Sequence, residues 1–160
     1  MKTYVLTLSV TFPKWHPKAG QPTYFKDKFH AAITNNEEYW NKLHTIRANY
    51  ELWRKRFEKI ESGEACLSIR QWTGKPYASK QVEIAKLTKE DGIGLQKLEF
   101  EKCRGSYGQP ITKAIVRGTW VVNPMLAKND GLSLDDWYTW FEDYDKTKPL
   151  AIIHFTNFRY

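Results

Sequence analysis

The sequence predicts a mixed α+β domain of barrel-like architecture, and three observations carry that expectation. Short runs rich in β-branched and aromatic residues recur along the chain, separated by Gly, Pro and Asn turn chemistry. Only two or three segments carry helical spacing with a capping residue in front. The 160 residues are 41% hydrophobic and 15% aromatic, which suits one domain whose core is built largely from rings.

Tyr4 to Phe12 reads as the first strand, and Pro13, Pro17, Gly20 and Pro22 enforce a loop carrying Trp15, His16 and Lys18. Thr23 through Ile33 has helical spacing at Tyr24, Phe25, Phe29, Ala32 and Ile33, with Thr23 as the expected N-cap. The next stretch reads two ways. Trp40, Leu43, Ile46, Tyr50, Trp53, Phe57 and Ile60 make an amphipathic stripe that Asn36 would cap as one long helix. Weak helix formers in Leu43 to Arg47 instead favour a strand there.

Ser62-Gly63 ends that helix, and Ala65 to Trp72 reads as a buried strand. Thr73-Gly74-Lys75-Pro76 is a turn, Gln81 to Leu87 a strand, and Asp91 to Gly94 a further turn. Leu95 to Phe100 and Ile111 to Val116 are strands joined by the glycine-rich Arg104 to Pro110, which lacks the lysine-serine ending of a phosphate loop. Trp120 to Val122 leads to a helix at Asn123-Pro124 that Asp130-Gly131 interrupts. Ser133 caps a helix burying Trp137, Trp140 and Phe141, and Leu150 to Phe155 is strand-like.

A net charge of +7 favours polyanions as partners, because Lys and Arg displace counterions from phosphates, and the tryptophans among the basic residues offer faces on which bases stack. A solvated basic surface is the plain alternative. Cys66 and Cys103 lie far apart without ligand spacing, so both are read as reduced, buried thiols. His16, His30, His44 and His154 share no ligand spacing, and neither a metal nor a cofactor is expected. Met1 to Val10 lacks a signal-peptide core and no stretch is long enough to span a membrane, so a cytoplasmic protein is expected.

Two sets of residues resemble a known family. Lys42, Thr45 and Arg47 fall on the Gly-x-Lys-x-x-(Thr/Glu)-x-Arg signature of the ASCH domains, a branch of the PUA-like β-barrels, with Trp40 in the glycine position. Leu126 to Trp137, running through Trp140-Phe141 to Leu150 to Phe155, resembles the family's acidic residue, capped helix and closing strand. Gly63, Ser68 and Arg70 form a poorer copy of the signature, with Ala65 where lysine belongs.

The resemblance implies a PUA-like mixed barrel of five or more strands with two or three flanking helices, the Ser133 to Tyr144 helix near its opening, and Lys42 to Arg47 on a strand. It also implies a cleft for RNA or a nucleotide base lined by Arg47, Arg70, Ser68, Trp72, His44 and Trp15. Some small members of the family are amidohydrolases that deacylate acetylated cytidine through a lysine, a threonine and a glutamate. The matching positions here are Lys42, Thr45 and Asp130, the last one methylene shorter. Side chains alternate along a strand, so Lys42 and Thr45 share a face only where the chain bends after Lys42. In a third reading Lys42 is a solvated edge charge.

Overall fold

The structure is a computed structural model that describes residues 1–160. In chain order it holds β1 (Lys2–Thr7), α1 (Phe25–Ile33), β2 (His44–Arg47), α2 (Tyr50–Glu61), β3 (Ala65–Trp72), β4 (Gln81–Leu87), β5 (Gly94–Arg104), β6 (Pro110–Val116), β7 (Thr119–Val121), α3 (Asn123–Asn129), α4 (Leu134–Trp140) and β8 (Leu150–His154). The class is α+β, with four α-helices where two or three were expected. No helix is long and apolar enough to cross a membrane.

The strands form two sheets, β1-β3-β4 and β2-β8-β5-β6-β7, and no ladder closes them into the expected barrel. β1 runs parallel to β3, and every other strand pair is antiparallel. β5 pairs its Gly94–Leu98 half with β8 and its Glu99–Arg104 half with β6. At the edges of the two sheets the Arg47 guanidinium of β2 donates to the Thr7 carbonyl of β1. A side chain thus stands where a closing ladder would run, because β2 has only four residues and β1 stops at Thr7.

The conflict over Lys42 to Arg47 resolves at Asn49. Its backbone is left-handed (φ 63°), which no helix interior accepts, and its side chain accepts a hydrogen bond from Leu52 N as the N-cap of α2. The helical stripe is therefore real only from Tyr50 onward, through the buried Trp53, Phe57 and Ile60, while Leu43 and Ile46 belong to the chain entering β2 and to β2 itself. Lys42 falls just outside the strand, which starts at His44.

Other boundaries move for identifiable reasons. The first strand ends at Thr7, beyond which only Thr11 bridges to Pro22. Thr23 Oγ1 accepts from Phe25 N at 3.3 Å at the start of α1, although the N-cap position falls one residue later. Tyr24 takes that position with φ 58° and no side-chain bond, while Thr23 Oγ1 donates to the Ser9 carbonyl at 2.6 Å and pins the loop. α4 stops at Trp140, short of Tyr144, and leaves Trp140 half-buried. Both cysteines are free, with Cys66 buried and Cys103 half-buried. Every residue of β8 is buried, so this strand forms the floor against which β2 is set in register, Thr45 opposite Ile153.

Candidate functional site

Lys42 reaches the interior because its segment is stitched on both sides. Its backbone N–H donates to Lys28 O at 2.9 Å, and that of Leu43 to Asn129 O at 2.8 Å. Trp40, in the glycine position of the signature, clamps the same segment. Its indole donates to Lys128 O at 2.7 Å and its ring lies 4.1 Å from Lys28 Nζ. Lys42 and Leu43 precede β2, and Lys42 lines one cavity with Thr45 of that strand.

Lys42 is only 1% exposed, and its ammonium donates to Asp130 Oδ1 at 2.7 Å and to Asp130 O at 2.5 Å, 4.2 Å from the centre of the Phe25 ring. Asp130, 2% exposed, follows the last residue of α3, and Gly131 (φ 81°) turns the chain there. A Cβ at Gly131 would make only ordinary contact, at 3.4 Å, with the Lys42 and Lys28 side chains, so it is the left-handed backbone that favours glycine there.

Burial pushes the Lys42 ammonium down from its ordinary value, against the pull of the Asp130 charge. Burial likewise pushes the Asp130 carboxyl up, against Lys42. Both shifts disfavour charge, which narrows the gap between the ion pair and the neutral amine–acid pair.

Thr45 and Arg47 of β2 line the same cavity as Lys42 and Asp130, walled by Phe25, Leu132, Trp140 and Phe141. Its volume is about 20 Å³, room for one water and not for a pyrimidine. Arg47 also lines a larger groove of about 640 Å³, which carries Lys14 and Lys75 and has no carboxylate on its walls. Trp72 and Tyr77 stand in this groove with ring centres 5.2 Å apart.

The remaining expected site residues lie elsewhere. Arg70 Nε donates to Ser68 Oγ at 2.8 Å, Ser68 bonds Glu83, and the Arg70 guanidinium stands 3.9 Å from the Glu83 carboxylate. These residues form a network across β3 and β4 outside the groove. His44 bonds Tyr160 Oη through Nε2 at 2.7 Å beside His154, and burial holds it well below the ordinary histidine value. Trp15 is exposed and packs edge-on to Trp140 at 6.4 Å.

Sequence reasoning passed over Lys14, Lys75 and Tyr77, although the Thr73 to Pro76 turn beside Trp72 was a usable sign that side chains there would be displayed. It also passed over Asp136, which accepts from Lys18 Nζ at 2.7 Å and ties the proline-rich loop to α4. No group of three or more His, Cys, Asp or Glu stands close enough to hold a metal ion.

Fold and site together define an α+β domain with a buried lysine–aspartate pair next to a basic, aromatic groove. Comparison with protein-family models, with curated proteins and with solved structures finds no match.

Proposed function

We propose that the chain is an ASCH-like domain that binds single-stranded RNA or a nucleotide in the groove between Arg47, Trp72 and Tyr77. The observation that carries this reading is the composition of the groove: three cations, no carboxylate and an adjacent aromatic pair. Cations take the phosphates and release counterions, while rings accept base faces without requiring a particular sequence. On this reading the two sheets correspond to an opened PUA-like barrel, with the Arg47–Thr7 contact at its seam.

The test is affinity for a short single-stranded RNA measured across a salt series. Affinity should fall as salt rises, and Arg47→Ala should weaken binding to all sequences and lower the salt slope by about 1. Arg70→Ala should do less, since Glu83 and Ser68 already engage that guanidinium. Absence of binding at low salt sinks the proposal.

A second reading, an amidohydrolase acting on acetylated cytidine, is favoured by one observation: Lys42, Thr45 and Asp130 share one cavity. Lys42 would take the Thr45 proton as the Thr45 oxygen attacks the acyl carbon, the C–N bond would break as the Asp130 carboxyl passes a proton to the leaving amine, and water would then hydrolyse the Thr45 ester to free the acid. Release of the acyl group from acetylated cytidine tests this reading.

A further inference from the structure

A third concavity, of about 530 Å³, shares no lining residue with the Arg47 groove or the Lys42 cavity. It lies where Tyr50, at the start of α2, and the β8-paired half of β5 meet the β6–β7 turn and the C-terminal segment. Lys97, Arg117 and Arg159 line it against a single side-chain carboxylate, Glu99. None of these four groups forms an ion pair with any other residue.

Arg159 is held in place by neutral partners. Its Nη1 donates to the Thr156 and Phe158 carbonyls, each at 2.6 Å, and its Nη2 to the Gly92 carbonyl at 2.8 Å. The guanidinium lies directly against Gly94, in the space that a Cβ there would take. Carbonyl dipoles fix the position of this charge and leave its sign uncompensated. Lys97 Nζ stands 5.3 Å from the Tyr50 ring centre, and the left-handed pair Arg117 (φ 53°) and Gly118 (φ 74°) forms the turn that brings Arg117 to the same concavity.

Three cations from separate elements against one carboxylate leave the concavity net positive, and an anion placed among them offsets the remaining repulsion. The volume suits a multi-atom anion better than a halide. Arginine and lysine together match phosphate oxygens, the first as a fork and the second as a point charge.

We infer that the concavity formed by Lys97, Arg117 and Arg159 beside Tyr50 is a second anion site, built for a phosphate group. The phosphate belongs either to a free small anion or to the backbone of a nucleic-acid strand. The site stands independently of the reading given to the Arg47 groove, since the two have no residue in common.

The experiment titrates inorganic pyrophosphate into the full chain and follows the amide signals of Lys97, Gly118 and Arg159. Saturable shifts at these positions are expected, and the double substitution Lys97→Gln with Arg117→Gln should weaken the affinity they report by about tenfold or more, as two charge-assisted contacts are lost. Both side chains are exposed, so the fold tolerates the change. A short single-stranded oligonucleotide separates the sources. A salt slope lowered by about 2 in the double variant assigns the site to strand phosphates. An unchanged slope, with pyrophosphate binding lost, assigns it to a free anion. Absence of saturable shifts at these amides, or pyrophosphate affinity unchanged in the double variant, overturns the inference.

Discussion

Lys42 Nζ lies 2.7 Å from Asp130 Oδ1 with both side chains withdrawn from water, although 88 residues separate them in the chain. Removing one partner strands the other charge in the interior, so Lys42→Ala and Asp130→Ala should each cost about 3–5 kcal/mol. Replacing both, as Lys42→Met with Asp130→Leu, should cost less than either single change, because no charge then remains to be desolvated. Urea unfolding of the three variants measures the difference, and a double variant as unstable as the sum of the singles contradicts it.

Gly94 and Arg159 form a second relationship open to direct measurement. Gly94→Ala places a methyl group inside the guanidinium and should destabilise by about 1–3 kcal/mol, the usual cost of overpacking. In an Arg159→Ala background the same change should cost little. A double-mutant cycle with no coupling energy would show that the guanidinium moves aside freely.

What the sequence made legible depended on how local the signal was. β3 and β4 keep their expected limits, Ala65–Trp72 and Gln81–Leu87, because Ser62-Gly63 and Thr73 to Pro76 punctuate them on the chain itself. The long helix suggested by the spacing of Trp40, Leu43 and Ile46 fails for an equally local reason, the left-handed backbone of Asn49, which a period count does not register. Pairing across the fold carried no such mark. Arg70 and Glu83 are register partners on neighbouring strands, so the guanidinium is engaged there, and no spacing along the chain announces that. Lys42 and Asp130 were linked only through the family resemblance, since neither composition nor periodicity joins residues so far apart.

His154 sets an acid limit on stability. Gln96 Oε1 accepts from Tyr160 N at 3.0 Å and Gln96 Nε2 donates to Tyr160 O, which leaves His154 Nε2 as a donor to Oε1 and the ring neutral. Burial first, and then the Arg159 charge, lower this histidine from 6.5 to about 3. The unfolded chain takes up the proton at the higher pH, so the contribution is complete above about 6.5 and is lost as pH falls toward 3, on the order of 5 kcal/mol in all. His154→Gln keeps a donor and does not titrate. Its stability should fall less steeply than wild type over that range, and parallel curves would contradict the assignment.

Tyr77 separates binding from folding. It is 91% exposed and supports no core, so Tyr77→Ala should change stability by no more than about 0.5 kcal/mol. A stacked base, in contrast, is worth about 1–3 kcal/mol, so the same substitution should weaken single-stranded RNA binding by roughly five- to a hundredfold. Unchanged affinity would remove Tyr77 and its contact with Trp72 from the binding surface.

Turnover faces a constraint of size. The cavity that joins Lys42, Thr45 and Asp130 holds one water, so an acetylated pyrimidine enters only when its wall moves, and Trp140 at the end of α4 is a half-buried part of that wall. Trp140→Ala should therefore raise kcat/KM for acetylated cytidine, chiefly through KM, while Thr45→Ala and Lys42→Ala should each remove nearly all of kcat as members of one nucleophile–base unit. Asp130→Glu adds the methylene by which Asp130 falls short of the glutamate in the ASCH amidohydrolases that the sequence resembles, and on the amidohydrolase reading should preserve or raise the rate, with the same urea series checking the fold. Deacylation that survives Thr45→Ala rules out the hydroxyl as nucleophile. No turnover in wild type, Trp140→Ala or Asp130→Glu leaves the buried pair as a structural element next to a binding groove.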